Sequence, residues 1–471
     1  MLHIKIQPTL MVLAFVLLPG CNHESETMPM TAPLTSELTA AEMRADLEQY
    51  HDSVVEASAY LESKRRDQSV DVTQTRDRLL ARVSSKTTKQ DFALLLKEFA
   101  ASLKEGHSDA FSDVAPEVFP FSWPIGFLAV REGVMVANLN WLANNPGLKP
   151  GDLLVKVDGK PIEEFLQSRM AITTASTDHA RRTIAVDQMH WSSLSTVELE
   201  FEQQDGSILN SIFHCLPGRV DYRNRDLKEF CTHSTVADKI VKIEIPSFIW
   251  NNDAFFAAAT DEARDAVIDD AKSRIDDAFS AAADARGVIL DLRNNEGGLE
   301  LLSIYVAEHL VAGDFTYFEI ERQDSALLRS RPGYQNMDRS EFGKRISQRP
   351  RNWLSFRHFE GDTYDGPLVV LINERCFSTT DNLCAFLRDV RPETKFVGMP
   401  TNGGTGEPAH VDTLTNSGAR IQFCVSRVYS PNGRLIEGSG TLPDVRVERD
   451  RESAIRRQDP AMEAAIRILQ D

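Results

Sequence analysis

Between Thr39 and Leu103, apolar residues recur three and four positions apart, as in Leu79-Leu80-Val83 and Phe92-Leu95-Leu96-Phe99. That spacing puts them on one helical face and predicts a small helical bundle. It stops at Lys104-Glu105-Gly106-His107-Ser108, where Gly106 reads as a helix stop. From residue 112 to about 216 the pattern turns to short strands and turns, including Val134-Met-Val-Ala-Asn and the run Gly147-Leu-Lys-Pro-Gly-Asp-Leu-Leu-Val-Lys-Val-Asp-Gly-Lys-Pro161. From about Asp238 strands and helices alternate. Ile240-Val-Lys-Ile-Glu-Ile-Pro reads as a strand, Ala257–Ala285 as one long acidic helix, and Gly287-Val-Ile-Leu-Asp-Leu-Arg293 as a buried strand. A loop, Asn294-Asn-Glu-Gly-Gly298, and a helix from Leu299 follow. Leu368-Val-Val-Leu-Ile372 begins a second unit of this kind, with a helix from Asp381 to Arg388. Continuously apolar strands between helices predict an α/β core on a buried parallel or mixed sheet.

The first twenty residues stand apart. Leu10–Leu18 is apolar but too short to span a bilayer, and it ends in Leu18-Pro19-Gly20-Cys21. This resembles a bacterial lipoprotein signal, which implies cleavage before Cys21 and its acylation, and so a membrane surface without a spanning helix. Asn22 to about Ser36 is polar and Pro-containing and reads as a tether. Lipidation at Cys21 leaves five cysteines, and in an oxidising compartment Cys215–Cys231 is the first pairing to expect. The formal net charge of −18 argues against nucleic acid as a partner.

The candidate chemistry sits in two loops at strand ends, where open α/β sheets bind their ligands. Ser378 follows an apolar strand and precedes a helix, which exposes it near backbone N–H groups able to stabilise an oxyanion. By itself a serine there reads as a helix N-cap. No His-x-x-x-His or Cys-x-x-Cys pair suggests a metal, and no glycine-rich phosphate loop lies between a strand and a helix. No metal or cofactor is expected.

Taken together, Leu290-Asp-Leu-Arg-Asn-Asn-Glu-Gly-Gly298, the segment Val370 to Asp381, and Gly438-Ser-Gly-Thr-Leu-Pro-Asp-Val445 resemble the tail-specific (C-terminal-processing) serine proteases. The resemblance implies a crotonase-like, ClpP-type core with an N-terminal helical segment and an inserted PDZ-like β domain. It makes Ser378 the nucleophile with Asp381 three positions on, and it makes the Thr379 amide and the Gly297/Gly298 loop the oxyanion hole. Asp291, Arg293 and Asp389 read as fold-supporting polar groups.

The best-known members of that family use a lysine base. Gly404 occupies its place in Val397-Gly-Met-Pro-Thr-Asn-Gly-Gly-Thr-Gly406, and no lysine follows Lys395. A second branch, resembling tricorn core proteases and the chlamydial protease-like activity factor, uses histidine and glutamate instead. Leu103-Lys-Glu-Gly-His107 matches its histidine element, with Glu105 replacing the usual aspartate, and Glu437, 59 positions beyond Ser378, matches its glutamate. The expected triad is Ser378, His107 and Glu437, with the histidine ionising near its ordinary value or above it. His410 is the rival base and Glu407 the rival orienter.

The run from Gly147 resembles a PDZ signature. It implies that Pro124-Ile125-Gly126-Phe127 carries the loop that captures a peptide's C-terminal carboxylate. The expected division is signal peptide 1–21, tether 22–36, helical domain 37–111, PDZ-like domain 112–220 and catalytic core 221–471. The expected function is an exported serine endopeptidase working through an acyl-enzyme on protein or peptide substrates at the periplasmic face of a membrane. The alternative is a non-catalytic PDZ-containing lipoprotein that binds peptides or an apolar ligand.

Overall fold

The structure, a computed structural model, describes residues 38–111, 118–140, 143, 145, 147–222, 230–331, 333–350 and 357–471. Cys21, the signal and the tether lie outside the described residues.

The fold is mixed α/β. Its central sheet has six strands in the order Thr232–Ala237, Ile240–Glu244, Gly287–Asp291, Leu368–Ile372, Lys395–Gly398, Val445–Arg446. The first pair is antiparallel and the other neighbours are parallel. Every residue of Gly287–Asp291 and Leu368–Ile372 is buried, which is why these strands read as unbroken apolar runs. Helices cover both faces. Helices Asp261–Ala281, Glu300–Leu310 and Thr379–Val390 bury their apolar residues with Ile243, Leu290 and Val370, while helix Pro460–Gln470 covers Ile240, Ile289 and Val369 on the other face. The long helix expected over Ala257–Ala285 is shorter, Asp261–Ala281, because the Thr260 hydroxyl accepts the Ala263 N–H and caps it there.

The N-terminal segment forms four helices, Ala40–Ala57, Leu61–Gln68, Val72–Leu80 and Lys89–Ser102. The first and last open with full capping boxes at Thr39/Glu42 and Thr88/Asp91. Their apolar faces pack on one another, with Val72 and Leu79 in the same core as Met43, Leu47 and Phe92, and also onto a small sheet. Tyr50, Val54, Leu96 and Phe99 share one core with Val411, Ile421 and Phe423. Asp109–Phe111 adds to that sheet as a strand on Arg420–Cys424, with Asp109 opposite Gln422. Sequence-distant helices are thereby locked to the α/β core.

Residues 125–214 make a separate antiparallel sheet, in the order Ile125–Val130, Gly133–Leu139, Leu153–Val157, Thr196–Glu202, Ile208–His214, with its own core around Trp123, Leu154, Leu199 and Phe201. Two helices, Ile162–Met170 and Asp178–Gln188, interrupt the strand pattern. Among the described residues, no helix is long and apolar enough to cross a membrane.

The cysteine pairing expected first is corrected. All five described cysteines are free. Cys215 packs beside the core of the 125–214 sheet and Cys231 belongs to the α/β core, so two separately packed units keep them apart.

Candidate active site

Ser378 stands at the N-cap position of helix Thr379–Val390 with φ 58° and ψ −123°, a conformation strained for a residue with a Cβ. It makes no capping hydrogen bond. The hydroxyl instead lies 3.1 Å from Nε2 of His107, 271 residues away in sequence. Strain at this turn, spent on presenting an oxygen to an imidazole rather than on closing a helix, separates the site from an ordinary cap. The backbone holds the turn from outside, because Ser378 N donates to Gly404 O at 2.7 Å and Phe377 N to Asn295 O at 3.1 Å.

His107 is set by the N-terminal helices. The turn after helix Lys89–Ser102 runs through Glu105-Gly106, where Gly106 N donates to Ser176 Oγ. The His107 carbonyl accepts from Gln422 Nε2 at 3.0 Å, and the ring leans on Phe377 with centroids 4.4 Å apart. The residue is 4% exposed. Burial disfavours the charged ring and pushes its pKa down to about 3, which corrects the expectation of a value at or above the ordinary one. The second ring nitrogen, Nδ1, lies 3.5 Å from Cys424 Sγ. With Nδ1–H directed at the sulfur, Nε2 is the lone-pair nitrogen facing Ser378.

Glu437 does not reach the imidazole. Its Oε1 pairs with Lys64 Nζ at 2.7 Å and its Oε2 accepts the Thr405 N–H at 2.9 Å, all inside the protein. Lys64 also donates to Lys104 O, in the turn before His107. Glu437 therefore braces the two loops flanking the ring instead of bonding it. A buried ion pair stripped of one partner leaves an uncompensated charge. Lys64→Met should cost about 3–5 kcal/mol in urea unfolding, and adding Glu437→Gln should recover part of the loss. Equal stability of wild type and Lys64→Met would refute the bracing role.

The oxyanion donors divide. Gly297 N donates to Asn295 Oδ1 at 2.9 Å, so that expected donor is already engaged. The Thr379 and Gly298 amides have no acceptor among the described residues. Gly297 earns its place sterically: at φ 95°, an added Cβ would sit 2.8 Å from Phe377 O and from Ser378 Cβ. Asp381 anchors the opposite wall, where its Oδ2 accepts the Gly403 and Gly404 amides at 2.9 and 3.0 Å. A Cβ at Gly404 would meet the Phe377 ring at 2.1 Å, so this position admits no side chain and a lysine could not be accommodated without rearrangement.

The rivals are elsewhere. His410 is exposed on strand Pro408–Thr413 with Nε2 at 2.9 Å from Asp412 O. Glu407 is tied to Arg322 and Ser426. With Glu300, Phe318, Ile320 and Val428, it lines a pocket that opens beside Ser378 and Thr379. Burial raises the Glu300 carboxyl to about 7. Asp291, Arg293 and Asp459 form an ion-pair cluster, and Asp389 caps the Asn432 amide. Ile125, Gly126 and Phe127 lie in the first strand of the 125–214 sheet. Ile125 is fully buried, and a Cβ at Gly126 would meet Tyr222 at 2.5 Å. Sequence reasoning overlooked Cys424 and treated Glu105 only as a substituted motif position. Cys424 lies in no spacing pattern that links it to Ser378, and the histidine element that contains Glu105 gives no sign of its contact with Cys424.

Residues 239–447 match the family model described as Peptidase family S41. Mature CPAF in complex with lactacystin has the same fold at a TM-score of 0.69, with 16% identity over 91% of this chain and 98% of CPAF. Mature CPAF in another structure gives 0.67 and 15% over 88% and 94%. Comparison with curated protein sequences gives no match.

Proposed function

We propose, from the match of residues 239–447 to the model of Peptidase family S41, that the chain is a serine-type peptidase that hydrolyses peptide bonds through an acyl-enzyme on Ser378, with His107 as its base. The observation that carries the reading is the 3.1 Å approach of His107 Nε2 to the hydroxyl of a strained serine that makes no capping bond. His107 takes the Ser378 proton as Oγ attacks the scissile carbonyl. It then delivers that proton to the leaving amine. The negative oxygen of the tetrahedral intermediate is held by the Thr379 and Gly298 amides, aided by the positive end of the helix starting at Thr379. Water, deprotonated by the same imidazole, then releases the acyl group. The pocket walled by Phe318, Ile320 and Val428 takes a substrate side chain next to the bond cut.

The chain is an exported lipoprotein anchored through Cys21 at the periplasmic face of a membrane, and the PDZ-like 112–220 segment delivers substrates by their C-termini. The lipobox and the glycine-rich turn at 147–151 support these parts of the reading.

A fluorophosphonate probe tests the core of it. Labelling should map to Ser378 by peptide mass spectrometry and should disappear in Ser378→Ala. An inert serine in a chain that still binds peptides would favour the non-catalytic adaptor.

A further inference from the structure

On the side of His107 facing away from Ser378, three buried ligand-type side chains converge. Nδ1 of His107, Sγ of Cys424 and a carboxylate oxygen of Glu105 all lie within 4.8 Å of one another. Glu105 Oε2 accepts the Cys424 amide at 3.1 Å, whereas Oε1 is buried with no hydrogen-bond partner. An unpaired buried carboxylate oxygen is costly and asks for a ligand. The surroundings have an excess of negative charge. Glu437 repels Glu105 across the site, and Lys64 is the cation paired with Glu437. The Cys424 sulfur has Thr405 O at 3.7 Å as a further neighbour. The Nδ1–Sγ distance of 3.5 Å equals the edge of a tetrahedron with metal–nitrogen bonds of about 2.0–2.1 Å and metal–sulfur bonds of about 2.3 Å.

We propose that Glu105, His107 Nδ1 and Cys424 Sγ form a zinc site that switches the peptidase off. A carboxylate, an imidazole and a thiolate are a zinc-type set, and three protein ligands leave a fourth position for water. Binding releases the Cys424 thiol proton to solvent. The charges then balance: two carboxylates and one thiolate against the Lys64 ammonium and a divalent ion. The switch rests on the reading of His107 as base. A neutral imidazole that ligates through Nδ1 carries its hydrogen on Nε2, so this nitrogen donates to Ser378 Oγ and has no lone pair to take its proton. Glu105 and His107 are two residues apart and Cys424 is 317 residues beyond His107, a spacing that hides the cluster from any sequence pattern.

Cobalt(II) serves as the probe in full-length Ser378→Ala protein, where self-digestion cannot intervene. One equivalent should produce thiolate-to-cobalt charge-transfer absorption that zinc displaces. The band should vanish in Ser378→Ala/Cys424→Ser and persist in Ser378→Ala/Cys215→Ser. Glu105→Gln should weaken zinc binding by more than about tenfold in calorimetry, which provides a second measurement should the cysteine variant fail to fold. In the active chain, zinc should abolish turnover and EDTA should restore it. Absence of the band, its survival in Cys424→Ser, or unchanged zinc affinity in Glu105→Gln overturns the site. A site that binds metal while turnover stays undiminished overturns the switch and His107 as base, and leaves the peptidase assignment standing.

Discussion

Ser378→Ala should lower kcat for peptide hydrolysis by about 10^4- to 10^6-fold while moving Tm by no more than a few degrees. The rate falls because the attacking atom is gone. What remains comes from the Thr379 and Gly298 amides and from substrate binding, which cannot by themselves form an acyl-enzyme. Stability barely changes because the hydroxyl makes no capping bond to its helix and its one described side-chain partner is His107. The positive φ is as strained for alanine as for serine, so that cost is common to both states of the comparison. Steady-state hydrolysis of a fluorogenic peptide, read beside a thermal melt, checks both halves. Turnover near wild type would remove Ser378 from the chemistry.

His107→Ala should cost at least about 10^3-fold in kcat/KM, whereas His410→Ala and Lys395→Ala should cost little. The pH profile of the intact enzyme carries the sharper test. The base must be neutral, and burial holds the ring neutral down to about pH 3. The acidic limb due to His107 should therefore lie well below the ordinary imidazole range, leaving the base competent at pH 5. Glu105, raised by burial to about 7, is the neighbour able to mimic a histidine limb. An inflection near neutrality that disappears in Glu105→Gln belongs to Glu105, and one that survives it places the His107 ionisation far above what its burial dictates. The same ring makes stability depend on pH. Its folded pKa lies below the unfolded value of about 6.5, so the unfolded chain binds the proton more readily in acid. The contribution of His107 to stability is complete above pH 6.5 and is lost progressively as pH falls from there toward 3. Urea midpoints of wild type and His107→Ala should converge across that window.

Much of this site was legible before any coordinates. The unbroken apolar runs at Gly287–Asp291 and Leu368–Ile372 announce buried parallel strands, since only a strand covered on both faces dispenses with polar alternation. The loops after them carry Gly297, Gly298 and Ser378, and local sequence suffices there because a sharp strand-to-helix turn needs particular residues at adjacent positions. The absence of a lysine at position 404 is likewise a fact of sequence. The packing of Phe377 explains it, because the ring fills the space a side chain would need.

What surrounds the imidazole was decided only by the tertiary structure. Hydrophobic periodicity shows that a helix has an apolar face but not what that face will meet. Here it meets the hairpin 408–424 rather than a neighbouring helix alone, and that contact carries His107 across 271 positions to Ser378. The same packing brings Cys424 to Nδ1 and turns Glu437 toward Lys64, two outcomes that no spacing along the chain encodes. The pKa of His107 follows from burial, which belongs to the assembled core and not to the residue. The sequence determined which groups could react, and the long-range closure of one core over two distant segments determined which of them touch.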